Sequence, residues 1–128
     1  MKRALLAAVA LVAATGCGAD LERVELEAET VPPLEHVVSA DGIILEEGAA
    51  IAVRVRAFEE GERTSDRLTV SSQGFGLEAY YVDHDGDTGT RYILMADAPG
   101  NGALVVSKAD GTSNELAVPF IVPAQTAP

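Results

Sequence analysis

Tryptophan is absent from this 128-residue chain, and cysteine occurs once, at Cys17. A lone cysteine cannot form a disulfide within the chain, so no disulfide framework is available. Without tryptophan, an aromatic platform for a sugar falls to the three tyrosines. Basic residues are scarce, with nine Lys and Arg against twenty Asp and Glu. Lys2 and Arg3 lie in a first stretch without acids, so from Cys17 onward seven bases face twenty acids, a net charge of −13. Phosphate-backbone binding needs Lys and Arg, so no nucleic-acid partner is expected, and anionic headgroups suit this field poorly. No apolar run reaches the roughly 20 residues that a helix needs to cross a bilayer. The longest unbroken one at the start, Ala4 to Ala14, is about half that.

That run has a basic pair before it and Ala14-Thr15-Gly16-Cys17 after it. The order matches a secretory signal: a basic region, a short apolar region, then small residues. Small residues ending in cysteine resemble the lipobox of bacterial lipoprotein precursors, with Ala14 where leucine is commonest. The resemblance implies cleavage before Cys17, diacylation of its thiol, and usually acylation of the new amino group. Each buried methylene contributes about 0.8 kcal/mol, so two or three acyl chains hold a protein far longer than one. On this reading residues 1–16 are the signal peptide, and 17–22 are the lipidated cysteine with a short tether. The membrane is then a partner through lipid alone. Gly18 follows the cysteine where a retention signal would place aspartate, so delivery to the outer membrane is expected if the host is Gram-negative.

The remainder reads as strands and turns. Residues 21–30 are good helix formers, and Asp20 could cap them. Yet Val24, Leu26 and Ala28 alternate with Arg23, Glu25, Glu27 and Glu29, which selects a strand. Pro32-Pro33 ends it. A short edge strand over Leu34 to Val38 precedes a turn at Asp41-Gly42, and Ile43 to Leu45 lead on to Gly48. Ile51, Val53, Val55 and Ala57 then alternate with Ala52, Arg54, Arg56 and Phe58, the cleanest half-buried pattern in the chain. After a charged loop over Glu59 to Asp66, Leu68 and Val70 form a strand. Phe75 to Val82 form another, with Phe75, Leu77, Ala79 and Tyr81 on one face. Asp85-Gly86 predicts a hairpin into the strand of Tyr92, Leu94 and Ala96. Turns at Pro99-Gly100 and Asp110-Gly111 bracket a return strand. Leu116, Val118, Phe120 and Val122 close the set, with Pro119 pointing to an edge or a bulge. The tail, 123–128, is expected to be flexible. Strands that can bury only one face, at roughly 8–12-residue spacing, predict an all-β antiparallel sandwich over 23–122.

Tyr92 to Ala96, Pro99-Gly100, Ala103 to Val106 and Val118 to Val122 follow the order of the closing strands of bacterial immunoglobulin-like domains, which this part resembles. The resemblance implies an immunoglobulin-like sandwich of about seven strands. It also implies a spacer, adhesive or surface-interaction module with no catalytic residues to carry over. The missing tryptophan, which many such domains bury, is a departure from the pattern.

One short constellation invites chemistry. Asp83, Asp85 and Asp87 alternate beside Gly86 and could curl around calcium, which takes six to eight oxygen ligands. The loop is not an EF-hand, because its glycine comes too early and no closing glutamate follows. The competing reading is a solvated hairpin tip. His36 and His84 are far apart, and zinc needs three or four convergent ligands. No Gly-x-Ser-x-Gly elbow frames Ser71 or Ser72, and Gly74-Phe75-Gly76 lacks the rest of a phosphate loop. Tyr80 and Tyr81 point to opposite faces of a strand, one to the core and one available to a glycan or peptide. Arg54 and Arg56 are expected to pair with nearby acids. The sequence thus predicts a lipid-anchored, non-enzymatic envelope protein with a structural, adhesive or partner-binding role toward an envelope protein or glycan. The alternative is a weak calcium- or glycan-binding module, with calcium as the only cofactor considered.

Overall fold

Alternation of apolar and polar residues carries through into pairing. The computed structural model describes residues 20–30 and 36–125. The signal peptide, Cys17, Pro32-Pro33 and the last three residues lie outside the described residues. Ten strands follow in order: β1 (Arg23–Ala28), β2 (His36–Ser39), β3 (Gly42–Leu45), β4 (Ala50–Glu59), β5 (Glu62–Arg63), β6 (Leu68–Gly74), β7 (Leu77–Asp85), β8 (Gly89–Ala96), β9 (Gly100–Lys108) and β10 (Leu116–Val122). No helix occurs among the described residues.

The strands form two sheets, β1-β4-β8-β7 with β5 beside β4, and β2-β3-β10-β9-β6. The seven longer strands reproduce the A-B-E-D and C-F-G orders of an immunoglobulin-like sandwich. Of the three short strands, β2 overlaps the edge strand expected over Leu34 to Val38, β3 takes Ile43 to Leu45, and β5 is the one that the sequence reads as loop. β5 comes from the charged loop, where Glu60 (φ 52°) and Gly61 (φ 81°) turn the chain back on β4. Both central residues at positive φ make the turn type that matches strand twist, and glycine suits its second position. β3 runs parallel to β10, pairing Ile43 with Phe120 and Ile44 with Ile121, so that sheet is mixed. The direction is forced: β3 must travel toward the end of the sandwich where β4 begins, and β10 travels the same way. At Pro119 the ladder to β3 has not yet started, so β10 is locally an edge and loses nothing by the missing N–H.

Side chains of alternate residues meet between the sheets. Ile51, Val53, Val55 and Leu94 from one sheet face Ile43, Leu104, Val118 and Phe120 from the other, all essentially buried. Every residue of this core lies between Leu21 and Val122. The described chain is fastened ahead of β1: Leu21 is buried, its N–H donating to Asn114 Oδ1 at 2.7 Å. At the other end Pro123 accepts from the Glu47 N–H, and Gln125 donates to Glu47 Oε1, so the tail is tied down through Gln125. Leu21 sits where β4 ends and Pro123 where β4 begins, so the chain enters and leaves at opposite poles. Phe75 departs from the expected strand face and is 67% exposed. β7 starts at Leu77 because Gly76 (φ 108°) breaks the extended backbone. A side chain at Gly76 would collide with the Ala98 carbonyl.

Candidate functional site

The β7–β8 hairpin carries the predicted aspartates. Its tip is built as expected: Asp85 Oδ1 accepts from the Asp87 N–H at 2.7 Å, and the Asp85 carbonyl accepts from the Thr88 N–H at 3.2 Å. A register irregularity between Tyr81 and Asp83 brings Asp83 opposite Arg91. Arg91 donates to both carboxylate oxygens, Nη2 to Oδ2 at 2.5 Å and Nε to Oδ1 at 3.2 Å. These bonds hold the Asp83 carboxyl below its ordinary value and raise Arg91. Each aspartate oxygen named here is therefore engaged within the hairpin. Among the described residues, no group of three His, Cys, Asp or Glu side chains is placed to hold a metal ion.

His84 is a strut. Its Nε2 lies 2.9 Å from the Ser65 carbonyl, which can only accept, so the ring proton sits there. Nδ1 and the Thr90 hydroxyl are hydrogen-bonded at 2.9 Å, and Thr90 Oγ1 accepts from the Leu68 N–H at 3.1 Å. His36 stands on β2 in the other sheet, so the two histidines do not converge. With Ser65 and Thr90 as its partners, His84 does not serve Ser71 or Ser72. The tyrosine expectation needs correction, because both are about half exposed and neither enters the core. β7 is an edge strand, so even Tyr81, in register with buried Tyr92, stands at the margin of the sandwich. Tyr81 meets Tyr92 edge to face, with centroids 5.7 Å apart.

Domains 4 and 5 of the S-layer protein SbsC form a solved structure similar to this chain: TM-score 0.54, 18% identity, 73% of this chain and 48% of that one. The likeness is one of fold. This chain spans about half the length of that structure. No protein family and no curated protein matches the sequence.

Two clusters join strands that are distant in sequence. On the outer face of the first sheet, Arg54 and Arg56 pair with Glu29 (2.6 Å) and Glu27 (2.9 Å), as expected. Arg91 also reaches Glu29, which the sequence reading missed. Between the sheets, Lys108 of β9 is buried, with Nζ 2.6 Å from Glu59 of β4 and 3.2 Å from Asp66. Its bond to Glu59 is the largest of the effects that raise its pKa. The signal was there: Lys108 continues the inward parity of Leu104 and Val106. Thr90 and Tyr92 make a third link. β6 is the edge of its sheet, and its Leu68 and Val70 N–H groups are taken by Thr90 Oγ1 and Tyr92 Oη, at 3.1 and 3.0 Å. Tyr92 Oη donates onward to the Leu68 carbonyl at 3.2 Å.

Proposed function

We propose that this protein is a non-catalytic structural or partner-binding module of the cell envelope, tethered by lipid on Cys17. The observation that carries the reading is the immunoglobulin-like sandwich, threaded from pole to pole, with a fold like that of an S-layer protein's domains. A body entered at one pole and left at the other works as a spacer, holding its far end away from the point of attachment. The net charge of −13 from Cys17 onward keeps it solvated there and directs binding toward neutral or cationic surfaces. The lipobox-like Ala14-Thr15-Gly16-Cys17 supplies the attachment, with the outer membrane as destination in a Gram-negative host.

Expression of the full chain in a bacterial host tests this. Mass spectrometry is expected to find the diacylglyceryl mass on an N-terminal Cys17, and fractionation to find it with the outer membrane. Protease applied to intact cells then reads whether the body is displayed outside. An exported product with an unmodified thiol would overturn the tether, and delivery solely to the inner membrane would overturn the destination.

A further inference from the structure

The two outer faces differ in kind. The first sheet presents the Arg–Glu ladder described above. On the second, the register turns Val37, Ile44, Ile121, Pro119 and Ala117 outward, continuing across β9 and β6 through Ala103, Ser71 and Gln73. Among the described residues, no charged side chain stands on the strands of that face. Asp41, Asp110 and Glu115 sit only in the turns around it. Val37, Ile44 and Ile121 are 48, 36 and 54% exposed. Exposed apolar side chains that adjoin across three strands, in a body of this net charge, mark an interaction surface.

We infer that a second copy of this chain occupies the face, the two sheets packing face to face about a two-fold axis. An uncharged face suits another uncharged face, and a second copy brings one. Two bodies of −13 repel wherever their acids meet, and this face is where they can touch without opposing carboxylates. The geometry also suffices. Five strands about 4.8 Å apart and about six residues long cover roughly 500 Å². Two such faces bury roughly 1,000 Å² in total, the lower bound for a specific interface. A weak dimer follows. The self-complementary patch closes on itself, so association stops at two.

Sedimentation velocity up to about 1 mM protein reads an association this weak. It is run on the full chain in nonionic detergent and on residues 20–128, which hold every strand and core residue among the described residues. Dimer is expected to grow with concentration, and to grow further with added salt, because salt screens the remaining repulsion. Ile121→Glu places like charges at the centre and is expected to leave a monomer with an unchanged circular dichroism spectrum. Met95→Glu, on the opposite sheet, is expected to dimerise as the parent does. A parent that stays monomeric throughout would overturn the inference. So would a dimer that survives Ile121→Glu, is lost equally in Met95→Glu, or dissolves with salt.

Discussion

Arg54 and Arg91 stand directly across from each other on β4 and β8, and one carboxylate, Glu29, serves both. Like charges in opposed positions destabilise a sheet. Glu29 turns that repulsion into attraction, which makes it worth more than an ordinary exposed pair. Glu29→Ala is expected to cost about 1–2 kcal/mol in urea unfolding, above the 0–1 kcal/mol typical of surface bridges. Added salt should restore part of the loss, because the two guanidinium groups then repel through a screened medium.

Lys108 ties the sheets together through Glu59 and Asp66. Lys108→Met removes the ammonium and leaves Glu59 partly buried without it. Full burial would cost about 3–5 kcal/mol, and the partial exposure of Glu59 and Asp66 brings the expectation down to about 1–3. Because folding raises the lysine pKa, the contribution is fully present below 10.5 and is lost as pH rises beyond the folded value. Thermal unfolding should therefore show the parent losing its advantage over Lys108→Met in strong alkali.

The acid limb has the opposite sign. Asp83 and Asp110 are both lowered from 3.8, by Arg91 and by Thr112 respectively. Their contributions are present above 3.8 and fade as pH falls below it. Asp83→Asn is expected to lower stability at neutral pH and to flatten its decline under acid. Denaturation midpoints between neutral and acid pH check this. An Asp83→Asn curve parallel to the parent's would assign the acid limb to other carboxylates.

Thr90 is fully buried, between His84 and the Leu68 N–H. Thr90→Val keeps the shape but strands both partners, for an expected loss of about 1–3 kcal/mol by chemical denaturation. Tyr92→Phe strands the Val70 N–H in the same way. Amide exchange at Leu68 and Val70 should accelerate selectively in the respective variants.

Calcium tests the hairpin directly. Arg91 occupies both oxygens of Asp83, and the Asp87 N–H occupies one of Asp85. A cation would have to displace an arginine to gather the three carboxylates. The melting temperature is expected to stay unchanged up to about 10 mM calcium, where even a millimolar site would stabilise by more than 1 kcal/mol.

Much of the frame was legible because alternation is a local signal. Ile51 to Ala57 announced β4, Asp85-Gly86 the β7–β8 hairpin, and Leu116 to Val122 the last strand. What pairs with what was not local. The parallel β3–β10 contact depends on which pole the chain must reach, and nothing in Ile43 to Leu45 states it. Arg54 and Arg56 could be assigned to acids as a class, but the sharing of Glu29 with Arg91 arises only when three strands adjoin. The spacing of Asp83, Asp85 and Asp87 shows how near the residues are in sequence and is silent about the guanidinium that folding places beside Asp83. Tyr80 and Tyr81 differ in another way: the alternation holds and sets Tyr81 across from buried Tyr92, but β7 is an edge strand, so its inward side is still half exposed, and a strand's place in the sheet is not a local signal.

Filling the outward amides of β6 from the opposite sheet has a price for would-be recruiters. A foreign extended segment seeking backbone donors on that flank finds Leu68 and Val70 already claimed by a threonine and a tyrosine. Molecules crowded side by side are thus hindered from zipping into a continuous ribbon along it, so this margin of the sandwich resists fibrous assembly without needing a proline or a lysine to do so.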